Sequence, residues 1–119
     1  MAIFEKPVDV IGRVEELLDA KVEPVILRSQ LQELERLASS KRWKASRIAR
    51  TLLRLIEGKF EVVEDPGGRV DDSILDVSSS KGFIVATNDR ELRKRLRERG
   101  VTVIYMKSDG KFEVEGYQP

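Results

Sequence analysis

The chain reads as an α/β protein: a three-layer, doubly wound and mostly parallel sheet with flanking helices and a C-terminal antiparallel edge hairpin. Three observations predict this. Short apolar runs of strand length alternate with stretches of helical period, capping residues and glycines mark the transitions, and acidic signatures stand where predicted strands give way to helices.

Residues 8–19 place Val10, Ile11, Val14, Leu17 and Leu18 on one stripe, with Glu15, Glu16 and Asp19 off it, so the chain opens on an amphipathic helix. Val22 to Leu27 is a strand-length apolar run. Ser29, with Gln32 three residues on, is expected to form a capping box for a helix carrying Leu31, Leu34 and Leu37, which places Glu33 in its first turn. Ser39-Ser40 breaks the pattern. A further helix from Lys41 to Glu57 sets Ala45, Ile48, Ala49, Leu52, Leu53 and Ile56 on one face, and Gly58 stops it.

Phe60 to Val63 reads as a strand and Asp65-Pro66-Gly67-Gly68 as a turn. Asp71 opens a helix through Ser79 that turns Ile74, Leu75 and Val77 inward, and Gly82 ends it. Phe83 to Thr87 is expected to be a buried strand. Asp89 starts a helix to Arg99 bearing Leu92 and Leu96, Gly100 caps it, and Val101 to Met106 is the next strand. Ser108-Asp109-Gly110 predicts a tight turn, after which Phe112 and Val114 form an antiparallel edge strand.

With 119 residues the chain suits a single domain, 1–119, with one core. It has no cysteine and no histidine, which excludes disulfides, thiolate zinc sites, cysteine nucleophiles and imidazole bases. Any chemistry must run on oxygen ligands. Phe4-Glu5-Lys6 interrupts the apolar start, so no signal peptide is read, and no run approaches a membrane span of about 18 residues. The expectation is a soluble cytoplasmic protein without a membrane partner. Gly67-Gly68 forms no phosphate-binding loop, and no Asp-x-Asp pair of a Toprim-like nuclease follows a strand.

Glu33, Asp71 and Asp89 stand at three successive strand-to-helix junctions, and in an α/β sheet ligands bind beyond the carboxyl ends of the strands. Acids scattered along the chain are therefore expected to meet in one cleft. Hard oxygen donors suit magnesium or manganese, and a cation so held can activate water and steady charge on phosphorus without histidine. The competing reading is structural, because acids at helix N-termini cap amides and offset the dipole by roughly 0.3–1 kcal/mol. Asp72 beside Asp71 argues against that reading, since adjacent like charges at a first turn call for a cation or solvent. Glu35, Asp76 and Glu91 are expected on solvated faces.

Two stretches are strongly basic. Lys41, Arg42, Lys44, Arg47, Arg50 and Arg54 occur with no acid among them, and Arg90, Arg93, Lys94, Arg95, Arg97 and Arg99 crowd the other helix against only Glu91 and Glu98. Since the net charge is only +1, these strips rather than the total point to a phosphate backbone as partner. Ordinary solvated faces are the plainer alternative. Trp43 is expected to close the core, with stacking on a base as the alternative role.

Gln32-Glu33-Leu34-Glu35-Arg36-Leu37, Asp71-Asp72-Ser73-Ile74-Leu75 and the block Gly82-Phe83-Ile84-Val85-Ala86-Thr87-Asn88-Asp89-Arg90-Glu91-Leu92 with Gly100-Val101 resemble a PIN-domain nuclease. The likeness is to archaeal proteins related to rRNA-processing PIN enzymes and VapC-type toxins, and it spans nearly the whole chain. It implies a magnesium- or manganese-dependent endoribonuclease in which Glu33, Asp71 and Asp89 match the family's second, third and fourth acids, with Asp72 a neighbouring candidate. RNA contacts would fall to Lys41, Arg42, Lys44, Arg47, Arg50, Arg90, Arg93 and Lys94. An antitoxin-type protein partner would accompany a toxin relative.

The family's first acid belongs to an Asp-Thr-Asn run that ends its first strand, and no such run is present here. Met1-Ala2-Ile3-Phe4 is similar to the residues just after that motif, which implies an N-terminally shortened domain. The family's first strand is central, so its absence implies two strands with unpaired amides unless another segment or chain fills the gap, as in a homodimer. Two functions follow as expectations: a ribonuclease weakened by the missing acid, or an inert PIN-like module that binds RNA or protein.

Overall fold

The computed structural model describes residues 7–117. The N-terminal run Met1-Ala2-Ile3-Phe4 lies outside them. Helix α1 (Pro7–Leu18) is followed by strand β1 (Val25–Leu27), helices α2 (Arg28–Ala38) and α3 (Trp43–Ile56), strand β2 (Glu61–Val63) and helix α4 (Val70–Lys81). Strand β3 (Val85–Ala86), helix α5 (Arg90–Glu98) and strands β4 (Val103–Met106) and β5 (Phe112–Glu115) complete the order. The expected alternation of strand and helix and the closing antiparallel hairpin are both present.

The core explains why these segments hold. Leu27, Ile74, Leu75, Val77, Leu92, Leu96, Val101 and Val103 form one buried cluster, so α4, α5, the end of β1 and the start of β4 share an apolar centre. Each fully buried Leu or Val stabilises the fold by roughly 1.5–3 kcal/mol. Gly82 adopts φ +71 and donates its amide to the Ser78 carbonyl, a left-handed helix end that a side chain would strain.

Hydrogen bonding reveals the largest departure from a continuous sheet. β1 pairs only with β2, in parallel, while β3 pairs in parallel with β4 and β4 in antiparallel with β5. The sheet is thus split into two halves between β1 and β3.

Both halves point the same way. Asp72 pairs with Arg95 at 3.0 Å and Asp76 with Arg99 at 2.7 Å, a ladder stepping four residues along both helices, so α4 and α5 run side by side in one direction. Each begins beyond the carboxyl end of its preceding strand. Helix α1 runs oppositely: Arg13 donates to the Gly110 carbonyl at 2.6 Å in the turn past β4, whereas the Leu18 carbonyl accepts from Tyr117 beyond β5, at 2.9 Å.

Several local expectations need correction. β3 covers two residues rather than Phe83 to Thr87, and Ile84 is 40% exposed, because its strand borders the split instead of lying in a closed sheet. Helix α2 starts at Arg28, with Leu27 as N-cap, so Glu33 sits in the second turn. The capping contact is made by Gln30, whose Oε1 accepts the Leu27 amide at 3.0 Å. Ser29, predicted to cap, is buried and binds elsewhere. Ile48, placed on the core face by its spacing, is 40% exposed.

Candidate nucleic-acid interface and carboxylate site

The carboxyl ends of β1, β2 and β3 lie at one end of the molecule, and the predicted acids are distributed around it. Glu33 is on α2, Asp71 opens α4, and Asp89 caps α5; α4 packs against both other helices. Each acid nevertheless has a local environment of its own. Glu33 is half-buried and paired to Arg36 one turn on, whose hydrogen bond holds its carboxyl below the usual range. Asp89 accepts the amides of Glu91 and Leu92 through Oδ1 at 3.0 and 3.1 Å, while its own amide donates to Thr87 Oγ1.

Asp72, proposed beside the site, turns to Arg95 instead, so its neighbour's cation relieves the charge that a metal was expected to balance. Asp71 is half-buried and makes no hydrogen bond or ion pair among the described residues. Asp89 Oδ2 is likewise without a partner among them. Of Glu33, Asp71 and Asp89, these are the two with an oxygen that has no partner among the described residues.

The basic strips differ from each other more than the sequence implied. On α5, Arg95 and Arg99 are spent on Asp72 and Asp76, and Arg93 lies 4.0 Å over the Tyr105 ring and 3.8 Å from Glu115. Arg97 donates to the Val101 carbonyl at 2.9 Å and lies so close to Gly116 that an added Cβ there would collide with its guanidinium. Only Arg90 and Lys94 of the predicted contacts there are exposed and without such a partner among the described residues. Arg93 therefore packs against β4 and β5.

On α3 and just before it, by contrast, Lys41, Arg42, Lys44, Arg47, Arg50 and Arg54 are all exposed, and none takes part in an ion pair among the described residues. Trp43 does not close the core. It is 66% exposed, and the Arg47 guanidinium stands 5.5 Å over its ring. A cationic helix face with an exposed aromatic plane can hold a phosphate backbone and stack a base.

Comparison with known proteins fits this arrangement. Residues 1–109 match the family described as PIN-like domain. The chain belongs to that family. It is 36% identical over 115 residues to Ribonuclease VapC9 of Archaeoglobus fulgidus, covering 97% of this chain and 82% of that protein. It is 31% identical over 116 residues to Ribonuclease VapC4 of Methanocaldococcus jannaschii, covering 96% and 88%. The structure of the PIN domain endonuclease Utp24 superposes with a TM-score of 0.78 at 26% identity, covering 97% of this chain and 84% of that one.

The donor chemistry of a PIN-like metal centre is present as hard carboxylate oxygens. Among the described residues no three acids are gathered as a group that could hold a metal ion. Glu33 stands in the second turn of α2, Asp71 in the first turn of α4 and Asp89 at the N-cap of α5. Arg36 pairs with Glu33 within α2, and the amides at the start of α5 hold Asp89.

Sequence reasoning missed Asp65, read only as part of a turn. Its Oδ1 accepts the Ser29 amide at 3.0 Å and its Oδ2 the Ser29 hydroxyl at 2.6 Å, tying the start of α2 to the chain leaving β2. Burial pushes its carboxyl upward, but the Ser29 bonds and the Gly67 amide outweigh this and hold it below the usual range. The missed signal was a serine just past one strand and an aspartate just past its partner strand.

Proposed function

We propose that this PIN-like chain is an RNA nuclease, a hydrolase of phosphodiester bonds, with Glu33, Asp71 and Asp89 as its carboxylates. The single observation that carries the reading is the match of residues 1–109 to the PIN-like family, joined to two relatives named ribonucleases over nearly the whole chain. The unpaired cations of α3 bind the RNA backbone, with Arg90 and Lys94 supplying a smaller second contact. Magnesium or manganese is the cofactor that the donor chemistry suits; when bound, it would activate water and balance charge on phosphorus. Asp71 and Asp89 contribute the oxygens not already engaged.

A second reading is an inert PIN-like module that binds RNA or an antitoxin-type protein. The dispersed acids favour it, because a nuclease centre of this class needs them together. Manganese-dependent cleavage of a single-stranded RNA separates the two. Asp89→Asn is the deciding variant: an asparagine caps a helix as well as aspartate does, so the fold survives while the charge is lost. Cleavage that stops in Asp89→Asn supports the nuclease. Binding without cleavage in either protein supports the inert module.

A further inference from the structure

Beyond the end of the β1–β2 ladder, side chains carry the same register onward. Val25, Ile26 and Leu27 pair with Glu61, Val62 and Val63. The next two residues after each strand continue the series. Arg28 donates to Glu64 Oε1 through Nε at 3.1 Å and Nη2 at 2.9 Å, and Ser29 bonds Asp65 through both its amide and its hydroxyl. We infer that Asp65 is a positioning residue that sets the start of α2 against the start of α4 and thereby fixes where Glu33 stands relative to Asp71. Its functional consequence rests on the reading of Glu33 and Asp71 as nuclease carboxylates; the geometry does not.

Two helix starts meet at this carboxylate. Ser29 is the second residue of α2 and is buried, and Glu33 lies four residues on, along the same helix face. On the other side, the Gly67 amide and the Ser73 hydroxyl face Asp65. Ser73, buried near the start of α4 two residues after Asp71, donates to the Gly67 carbonyl at 3.0 Å. An ionised aspartate suits this place because it accepts at two oxygens at once, one for each donor of Ser29.

The other polar bonds at the start of α2 do less. The Gln30 bond to the Leu27 amide is local to that helix, and the Arg28–Glu64 pair is open to solvent, where such pairs contribute little. Asp65 therefore carries the polar tie between the two helices, which also pack on each other. A helix released at its start pivots there. Glu33 is about 6 Å along the axis from Ser29, so a tilt of about 10° displaces it by about 1 Å. Misplacing a catalytic group by that much can lower its rate about a hundredfold.

The test exploits the absence of cysteine from the chain. Glu35→Cys on α2 and Ser80→Cys on α4, both exposed positions, take spin labels, and the distance between them is read by pulsed EPR. The labelled parent is expected to show one narrow separation. Asp65→Ala is expected to displace or broaden it by about 2 Å, since Glu35 and its label extend the lever. Ser29→Ala removes the 2.6 Å hydroxyl bond and leaves the amide bond, so it shifts the separation less, and it serves where Asp65→Ala does not fold. Val103→Ala cuts the core on β4 without touching the tie and is expected to keep the parent separation. In the cysteine-free protein, Asp65→Ala is expected to weaken manganese binding about tenfold, read from the free-ion EPR signal. It should also lower kcat for RNA cleavage about tenfold while KM moves by less than about twofold. An unchanged separation in Asp65→Ala, or equal broadening in Val103→Ala, overturns the proposal, as does a displaced separation with manganese binding unchanged. If the parent neither binds manganese nor cleaves RNA, the nuclease reading is lost, and the separation still decides whether Asp65 positions the two helices.

Discussion

At the scale of single residues, the acids show how local partners compete with a shared site. An aspartate at a helix start has amides within reach at once, whereas gathering three carboxylates costs repulsion that only a cation or a surrounding framework offsets. Asp65 took the structural role completely. Asp65→Ala leaves the buried Ser29 amide and hydroxyl without acceptors and is expected to cost about 1–3 kcal/mol in urea unfolding. Because its carboxyl is held below the ordinary range when folded, its contribution is full above the unfolded value near 4 and is lost as pH falls through the lower folded value. Wild type should therefore lose stability more steeply than Asp65→Ala on acidification below about pH 4. Trp43 carries the opposite lesson, since an exposed ring adds little to the core. Trp43→Ala is expected to leave Tm unchanged while weakening single-stranded RNA binding by about 1–3 kcal/mol, read by fluorescence anisotropy of labelled RNA.

At the scale of elements, α3 and α5 have similar basic sequences and different fates. The α5 cations face an acidic neighbour helix and an aromatic strand, so Arg93, Arg95 and Arg99 are paired to acids; α3 packs on α2 with its basic face outward. Pairing of this kind depends on what lies across the interface, which a linear reading of charge cannot supply. Reversing Lys44→Glu with Arg47→Glu should reduce the salt slope of single-stranded RNA binding by roughly 0.7 for each phosphate that is no longer neutralised, whereas Arg95→Glu should leave the slope nearly unchanged. Periodicity and capping chemistry located the helices well, because Leu92 and Leu96 or Ile74 and Leu75 announce a buried face directly. Ile48 and Trp43 misled for the same reason that the strands came out short. Their burial would require a neighbour outside their own element, and none covers them among the described residues.

At the scale of the whole molecule, the fold class was legible, since the order of strand-to-helix junctions defines an α/β sheet with flanking helices. The local partners of the acids were not legible, because Arg36, Arg95 and the amides at the start of α5 meet them only once the helices are formed and packed. One consequence concerns cooperativity. Among the described residues no backbone ladder joins β1–β2 to β3–β4–β5, so the two halves communicate through the packing of α4 and through α1, which lies along the split and bonds to the turn past β4 and to Tyr117. Such a boundary divides a domain into units that can open separately. In native-state exchange under mild denaturant, the amides of β1, α2 and α3 are expected to open together at a lower free energy than those of β4 and α5, and a single shared opening energy would contradict this. A ligand bound across the boundary would then fuse two partly independent folding units into one, and its presence would be felt as sharpened, single-step melting far from where it sits.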